Sequence, residues 1–357
     1  MYNCRNIVSR RFKSINYLTS SVPTNITTNI YKNSLKSNSN EHEHGQRTIT
    51  TDLSYLQKQI INPLELNSVF LNDGYENFTD QQRLFASNFF TKSKINLDWT
   101  LADFNQIPDI KYKILLTERK ETISNLPSNK YAENLSRSKK TFGIKPELLK
   151  ESPEILIMGH TNVGKSSLIN TLLNKSSTSL RSDQLAYVSK QAGYTKTLNA
   201  FRISNKFRFI DSPGYGKKGD PIQGKLVIDY ITNRHLLTKI LLLIDSNKGF
   251  QLPDEIIINQ LINQGIPFDI VFTKVDEVLS SFIPKKYFKE LNANTLIEES
   301  NEKILNYFNK LIDNSGLKNI SMIPRFMFNN ANSNRCIRKP LGINDIRCNI
   351  LESCRLL

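Results

Sequence analysis

The chain has 357 residues, with 48 Lys and Arg against 33 Asp and Glu, and a formal net charge of +15. This length suffices for a sizeable core with additional segments. The longest apolar runs fall far short of the roughly 20 residues of a membrane helix, so we expect no transmembrane segment. The basic excess favours a polyanionic partner such as RNA, although a basic surface can also serve solubility alone. Four cysteines lack metal-ligand or CxxC spacing, which predicts free thiols in a reducing compartment: Cys4, Cys336, Cys348 and Cys354.

The N-terminus differs in kind from the rest of the chain. Residues 1–40 contain six Lys or Arg and no Asp or Glu, and Arg5, Arg10 and Arg11 are interleaved with apolar side chains such as Phe12. Such an amphipathic, acid-free start resembles a mitochondrial transit peptide. It predicts a protein of the mitochondrial matrix whose first 40 residues are disordered or cleaved. A disordered basic tail or a basic RNA-binding arm would look similar.

Residues 41–140 are predicted to form a partly helical extension without a chemical motif. Apolar side chains recur at helical spacing over 53–61 and 81–90, and the segment contains the only tryptophan, Trp99. We expect structural packing or partner docking from this extension, whose role is unknown. A polar, basic stretch closes it, so the main domain is predicted to span 141–357.

From residue 154 onward, short apolar runs alternate with helical patterns. This alternation predicts an α/β fold in which helices cover both faces of a mainly parallel sheet, with ligands bound at the carboxyl ends of the strands. The predicted strands are 154–158, 198–203, 207–210, 239–245, 268–273 and about 322–328. The predicted helices are 165–174, 223–237, 253–264, 299–314 and 343–353.

The strand at 154–158 leads into a loop that fits the pattern GxxxxGK[ST], and a helix follows. Glycines at both ends of the loop allow successive backbone N–H groups to point at phosphate oxygens, reinforced by the helix N-terminus. Lys165 would contact the β- and γ-phosphates, and the Ser166 hydroxyl suits Mg²⁺. The sequence therefore predicts a nucleoside triphosphate bound by Gly159, His160, Thr161, Asn162, Val163, Gly164, Lys165, Ser166 and Ser167.

A second motif, the DSPG of Asp211 to Gly214, ends the apolar strand at 207–210. An aspartate there can organise the Mg²⁺ shell, and the N–H of Gly214 can contact the γ-phosphate. Asp245 also ends an apolar strand and is the competing candidate, but no glycine follows it. We therefore favour Asp211 at the metal site.

A third motif, the TKVD of Thr273 to Asp276, ends the strand at 268–273. The Asp276 carboxylate can accept hydrogen bonds from N1–H and the exocyclic amine of guanine, whereas adenine offers no such pair of donors. The stem of Lys274 can cover the base. The motif favours GTP over ATP and argues against a phosphate-loop ATPase or kinase.

A polar segment at 189–197 lies between the first two motifs. A threonine there can bring its hydroxyl to Mg²⁺ and the γ-phosphate, and release both after hydrolysis. We choose Thr195 for this role, with Thr197 as its rival.

Taken together, GHTNVGKSSLIN, AGYTKTLNAF, DSPGYG, LLLIDSNKGF and TKVD resemble, in order and spacing, the EngB (YihA) family of ribosome-assembly GTPases in the translation-factor-related class. The resemblance covers roughly residues 140–357, and the presequence-like start is similar to that of the mitochondrial members. It implies a P-loop GTPase domain with an N-terminal extension, active in assembly or translation of the mitochondrial large ribosomal subunit. Its RNA or proteins would be the partners, and we expect a monomer.

Two features depart from the pattern of this family. The guanine-contacting loop near the C-terminus usually reads Ser-Ser or Ser-Ala, whereas the candidates here are Asn329, Asn330 and Ala331. A backbone N–H can make that contact whatever the side chain. The stretch 332–340, which follows the loop, resembles an insertion.

The catalytic groups implied are Lys165, Thr195 and Gly214, which would neutralise charge and hold the γ-phosphate. Hydrolysis should be slow, because Tyr215 stands where signalling GTPases have the glutamine that orients water. In related GTPases an asparagine at the position of Asn162 helps to hold a potassium ion that acts like an arginine finger. Asn162 is either such a residue or a simple cap of the loop.

These predictions favour a GTP-gated binding switch. In the triphosphate state the loops would present four lysines to RNA or ribosomal protein: Lys190, Lys196, Lys217 and Lys218. The same lysines could form a merely solvated face. The alternative function is a nucleotide-stabilised scaffold that hydrolyses GTP weakly or not at all and binds the ribosome through residues 41–140.

Overall fold

A computed structural model describes residues 53–127, 130–173, 196–216, 221–290 and 292–357. The predicted presequence lies outside the described residues. Within those ranges no helix is both long and apolar enough to cross a membrane.

Seven strands form one sheet. They are β1 (Ile95–Leu101), β2 (Glu154–Gly159), β3 (Leu198–Ile203), β4 (Phe207–Asp211), β5 (Leu237–Asp245), β6 (Phe268–Thr273) and β7 (Phe326–Phe328). Their order across the sheet is β1-β3-β4-β2-β5-β6-β7. β3 pairs antiparallel with both β1 and β4, whereas β4, β2, β5, β6 and β7 pair parallel in succession. The mainly parallel α/β fold predicted from the sequence is confirmed.

Helices cover both faces of this sheet. In chain order they are α1 (Leu53–Gln59), α2 (Pro63–Val69), α3 (Asp80–Lys92), α4 (Pro108–Ser124), α5 (Lys130–Arg137), α6 (Lys165–Leu173), α7 (Pro221–Asn233), α8 (Leu252–Gln264), α9 (Val275–Phe282), α10 (Ala293–Asn314) and α11 (Ile343–Ser353). The predicted helical segments of the main domain agree with α6, α7, α8, α10 and α11 to within a few residues, apart from an earlier start of α10.

The strand before the glycine loop shows why the sheet has two cores. Every residue of β2 is buried. Leu156 and Met158 pack on one face, in the core that contains Phe308 of α10, while Ile157 packs on the other with Leu168 of α6. A strand buried on both faces has a continuous apolar sequence. Because β2 is the central strand of the seven, the loop that follows it starts at the middle of the sheet edge.

The described residues of 53–140 and of 141–357 belong to one compact unit. β1 extends one edge of the sheet by pairing with β3. At the other edge, the N–H of Phe328 in β7 donates to Asn67 Oδ1 of α2 at 2.6 Å. The segment thus adds a strand at one edge of the sheet and satisfies a backbone N–H at the other edge, where such groups would otherwise stay unpaired.

Several elements were not predicted. β1 is one of them, because its outer face is partly exposed and its partner lies about 100 residues further along the chain. α9 is another, since it has only eight residues and begins directly after Lys274. The strand expected over about 322–328 is limited to the three residues of β7.

Candidate functional site

The carboxyl ends of β2, β4, β5, β6 and β7 meet at one edge of the sheet. Each of the three motifs follows one of these strands, so the parallel topology brings them together as expected.

The loop after β2 has the conformation of a phosphate cradle. Asn162 and Gly164 have left-handed φ angles of 63° and 105°, and the value at Gly164 would strain any residue with a Cβ. Lys165 is buried at the start of α6, and its Nζ donates to the carbonyl oxygens of Gly159 at 3.0 Å and His160 at 3.2 Å. These bonds hold the ammonium group over the loop.

Asp211, at the end of β4, is buried close to this lysine. Burial raises the pKa of Asp211 to about 6 and lowers the pKa of Lys165 to about 8, and each charge partly offsets the shift of the other. Among the described residues Asp211 Oδ1 has no hydrogen-bond partner, although the residue is only 3% exposed. A buried carboxylate oxygen without a partner fits the hydration shell of a divalent cation.

Asn199 is a residue of this site that the sequence did not reveal. It lies opposite Asp211 in the β3–β4 pair, and its side chain hydrogen-bonds the Asp211 carboxylate. Thr197, the rival of Thr195, donates its hydroxyl to Asn199 Oδ1 at 3.3 Å. Register across two strands places these groups together, and no local pattern signals it.

The loop after β4 runs directly against the loop after β2. A Cβ atom at Gly214 would lie 2.9 Å from Lys165 Nζ and 3.0 Å from Thr161 Cα, so only glycine allows this approach. The N–H of Thr161 donates to the carbonyl of Tyr215 at 2.9 Å. Movement of either loop must therefore disturb the other.

Tyr215 connects this loop to α8. Its hydroxyl donates to Asp254 Oδ1 at 2.6 Å, and its ring packs edge-on against the His160 imidazole. Asp254 is buried in the first turn of α8, where Oδ2 accepts the N–H of Gln251. Burial, opposed by these hydrogen bonds, raises the pKa of Asp254. Asp254 is a second site residue that sequence reasoning missed.

The TKVD motif after β6 is tied to both of its neighbours. Thr273 Oγ1 donates to the carbonyl of Val163 at 2.7 Å, which links the motif to the phosphate loop. Lys274 Nζ pairs with Asp245 Oδ2 at 2.7 Å. Asp245, the competing metal candidate, is therefore occupied by a cation of the protein itself.

Asp276 lies in the first turn of α9 and is 6% exposed. Burial raises the pKa of its carboxyl to about 6, with a smaller contribution from the charge of Glu277. A carboxylate that is buried away from water is stabilised by hydrogen-bond donors that take the place of the lost water molecules.

The loop after β7 lies beside α9. The carbonyl of Asn329 accepts the N–H of Val275 at 3.3 Å, and Asn329 Oδ1 is buried with no hydrogen-bond partner in the part of the chain that the structure describes. Asn330 is a structural residue, because its amide donates to the carbonyls of Asn332 and Lys339 and its Oδ1 accepts the N–H of Leu341. Ala331 is half-buried.

The remaining predicted residues are placed less tightly. Ser166 and Ser167 are half-buried in the first turn of α6, and Asn162 and Lys196 are exposed. Four predicted residues lie outside the described residues: Lys190, Thr195, Lys217 and Lys218. Their assigned roles stay predictions, as do those of the other site residues.

Comparison with known proteins identifies relatives of the chain. A family model described as 50S ribosome-binding GTPase matches residues 154–274. MIOREX complex component 8 of Saccharomyces cerevisiae is 31% identical over 301 residues, which are 84% of this chain and 82% of that protein. A probable GTP-binding protein EngB of Thermotoga petrophila is 39% identical over 138 residues, 37% of this chain and 67% of that protein.

The match to the yeast protein is too long to be confined to residues 141–357, so it includes much of the N-terminal segment. Among solved structures, Era of Aquifex aeolicus bound to GDP and AlF4⁻ covers 57% of each chain at 24% identity, with a TM-score of 0.38. A TM-score this low adds nothing to the assignment.

Proposed function

Because this chain belongs to the EngB family of GTP-binding proteins and is a GTPase, we propose that it is a slowly hydrolysing GTP switch for the large subunit of the mitochondrial ribosome. The switch acts in assembly or translation of that subunit. The observation that carries the proposal is the meeting of four loops at one sheet edge, where Asp211 and Asn329 each keep a buried oxygen that has no hydrogen-bond partner among the described residues.

The phosphates bind to the loop after β2, from Gly159 to Ser167. Lys165 and the backbone N–H groups supply the positive field for the triphosphate. The Ser166 hydroxyl, Thr195 and Asp211 hold Mg²⁺, which neutralises charge on the phosphate oxygens when it is bound. Gly214 contacts the γ-phosphate through its N–H, and this contact distinguishes GTP from GDP.

The base binds between the loops after β6 and β7. Asp276 accepts the two guanine donors, Lys274 covers one face of the base, and Thr273 fixes the motif to the phosphate loop. The backbone of Asn329 to Ala331 completes the pocket.

Slow hydrolysis follows from the side chain of Tyr215. A tyrosine has no amide that could orient an attacking water, and the Tyr215 hydroxyl is already engaged by Asp254. Asn162, which lies in the phosphate loop, helps to hold a potassium ion that compensates for the missing glutamine.

Three observations support the partner and the location. The matching family model is described as ribosome-binding, and the relative from yeast is named as a component of the MIOREX complex. The acid-free basic N-terminus is the third. Lys190, Lys196, Lys217 and Lys218 contact ribosomal RNA or protein in the GTP state.

Turnover of GTP tests this proposal. We expect a slow basal rate that rises by about tenfold or more with mitochondrial large-subunit particles, and is higher in potassium than in sodium buffer. Absence of stimulation under every condition would contradict the switch and leave a nucleotide-stabilised scaffold that binds the ribosome.

The base assignment is tested by Asp276→Asn in the same assay. Loss of two charge-assisted hydrogen bonds should weaken GDP binding by about a hundredfold and abolish the preference for guanine over adenine nucleotides. Asp313→Asn, at an exposed position of α10, is the matched control.

A further inference from the structure

The insertion-like stretch 332–340 is folded onto the guanine side of the site. Its two ends are joined by Asn330, whose amide donates to the carbonyl of Asn332 at 2.7 Å and to that of Lys339 at 3.2 Å. Cys336 and Ile337, in the middle of the stretch, are buried in the core. The stretch is therefore an ordered part of the fold, directly after the proposed guanine-contacting loop.

Asn334 joins this stretch to α9, the helix that carries Asp276. Its Nδ2 donates to the carbonyl of Asp276 and to Ser280 Oγ, both at 2.7 Å. Its Oδ1 accepts the N–H groups of Cys336 at 2.9 Å and Ile337 at 3.0 Å. The Asn334 side chain thus uses its amide N–H groups to bind α9 and its oxygen to bind the backbone of the 332–340 stretch.

A second contact acts on the same helix. The Arg335 guanidinium donates to the carbonyl of Ser280 at 2.6 Å, and the carbonyl of Arg335 accepts Gln57 Nε2 of α1 at 2.5 Å. The chain of contacts runs from the N-terminal segment through the stretch to the last turns of α9.

α9 needs such support because it is short. It has eight residues, and only Lys274 separates it from β6. Lys274 is its N-cap, and the lysine side chain makes no capping hydrogen bond. A helix of this length is marginal without tertiary contacts. A small rotation of α9 would move the Asp276 carboxylate away from the edge of the base.

We propose that Asn334 is a positioning residue for guanine recognition, which anchors the main chain of Asp276 so that its carboxylate faces both donors of the base. The inference rests on the proposed guanine specificity of Asp276. It assigns a function to the 332–340 stretch and makes recognition of the base depend on contacts outside the three motifs.

The test compares Asn334→Asp with Asn332→Asp in the full chain. In Asn334→Asp an oxygen still accepts the N–H groups of Cys336 and Ile337, but the donor to Asp276 and Ser280 is replaced by an acceptor. Asn332 lies in the same stretch with an exposed side chain, so the same chemical change there is the matched control. Affinities for GDP and IDP are measured by calorimetry, since IDP lacks the exocyclic amine.

We expect Asn334→Asp to weaken GDP binding by about tenfold and IDP binding by less, so that the preference for GDP over IDP narrows. Asn332→Asp should leave both affinities unchanged. Unchanged affinities in Asn334→Asp, or an equal loss for GDP and IDP, would overturn the inference, because a merely structural residue affects both nucleotides alike.

Two further measurements keep the outcomes distinct. Ser280→Ala removes one acceptor of Asn334 and should narrow the preference for GDP over IDP by about threefold. This variant decides the question if Asn334→Asp fails to fold. An unchanged preference for GDP over IDP in Ser280→Ala would then count against the inference. Wild-type protein that binds ADP as tightly as GDP would instead refute the proposed guanine specificity itself.

Discussion

Lys165 and Asp211 illustrate, at the scale of single residues, how burial opposes charge at the site. Burial lowers the pKa of Lys165 to about 8 and raises that of Asp211 to about 6, so both groups are still mostly charged at pH 7, in positions with little access to water. A bound phosphate would favour the charged lysine, and a bound divalent cation would favour the charged aspartate. Without such a cation, the buried Asp211 carboxylate lowers the stability of the fold at neutral pH.

Asp211→Asn is expected to stabilise the nucleotide-free protein while it weakens Mg²⁺-dependent nucleotide binding. The pKa of Asp211 is about 6 in the folded chain against 3.8 for an unperturbed aspartate, so its contribution to stability is present below about pH 4 and is lost as pH rises through 6. At pH 7.5 the substitution should raise the free energy of unfolding by about 3 kcal/mol, since the shift is about two pKa units and each unit corresponds to about 1.4 kcal/mol.

Urea unfolding at pH 7.5 and at pH 4.5 measures this effect. The difference between Asp211→Asn and wild type should shrink at the lower pH, where the wild-type carboxyl is protonated. Asp73→Asn, at an exposed position, is the control and should show no such difference. If Asp211→Asn is less stable than wild type at pH 7.5, the charged Asp211 carboxylate does not destabilise the nucleotide-free fold and the prediction is wrong.

At the scale of elements, the site is a set of loops whose ends are tied to one another. Thr273 links the loop after β6 to the loop after β2, and Tyr215 links the loop after β4 to α8. These contacts make the position of Gly214 depend on α8, which begins after β5. A change at the γ-phosphate would thus be transmitted to the start of α8.

Tyr215→Phe should lower the affinity for GTP relative to GDP. The substitution removes the hydroxyl that bonds Asp254 but keeps the ring against His160. Because a hydrogen bond to a charged group contributes about 1.5–3 kcal/mol, we expect a loss of about tenfold in affinity for a non-hydrolysable GTP analogue and little change for GDP.

Fluorescence titration with labelled nucleotides distinguishes the two affinities. Tyr112→Phe, on α4 and packed against Phe142, provides the same chemical change away from the site. If Tyr215→Phe weakens GDP and the GTP analogue to the same extent, the tyrosine supports the whole pocket and is not specific to the loop that carries Gly214.

At the scale of the whole molecule, a buried ionic network joins residues 53–140 to the main domain. Asp98 of β1 lies 2.9 Å from the guanidinium groups of both Arg202 and Arg208. Arg234, the residue after α7, bonds Glu154 of β2 and Asp109 of α4. The network sits at the amino end of β2, at the opposite end of that strand from the phosphate loop.

Asp98→Asn should destabilise the whole unit in a single transition. Removal of one partner leaves the buried guanidinium of Arg208 and the half-buried guanidinium of Arg202 without this counter-charge, which costs about 3 kcal/mol. We expect urea unfolding to remain cooperative, because β1 and the main domain share one sheet. Nucleotide affinity under native conditions should be unaffected.

Asp80→Asn, which affects an exposed ion pair with Arg83, is the matched control and should change stability by less than about 1 kcal/mol. Two separate unfolding transitions, one for residues 53–140 and one for the remainder, would show that the segments are independent domains.

Local sequence accounts for the parts of this protein that depend on neighbouring residues. The strand, glycine loop and helix around Lys165 are contiguous, and burial on both faces makes β2 an unmistakable apolar run. The motifs at Asp211 and Asp276 are likewise contiguous, and each follows an apolar strand directly. The GTPase assignment and the α/β fold followed from these short segments and their order.

Tertiary structure alone decided which distant residues complete the site and where the domain begins. Asn199, Asp254 and Asn334 reach the motifs across strand register or loop packing, so no spacing along the chain marks them. β1 joins the sheet only because β3, about 100 residues later, offers its free edge. Sequence by itself determined the local geometry of the proposed phosphate- and base-binding loops, because φ angles, strand burial and helix starts are set within a few residues. Contacts of long sequence separation depend on the complete core, and they alone positioned those groups and joined residues 53–140 to the GTPase domain.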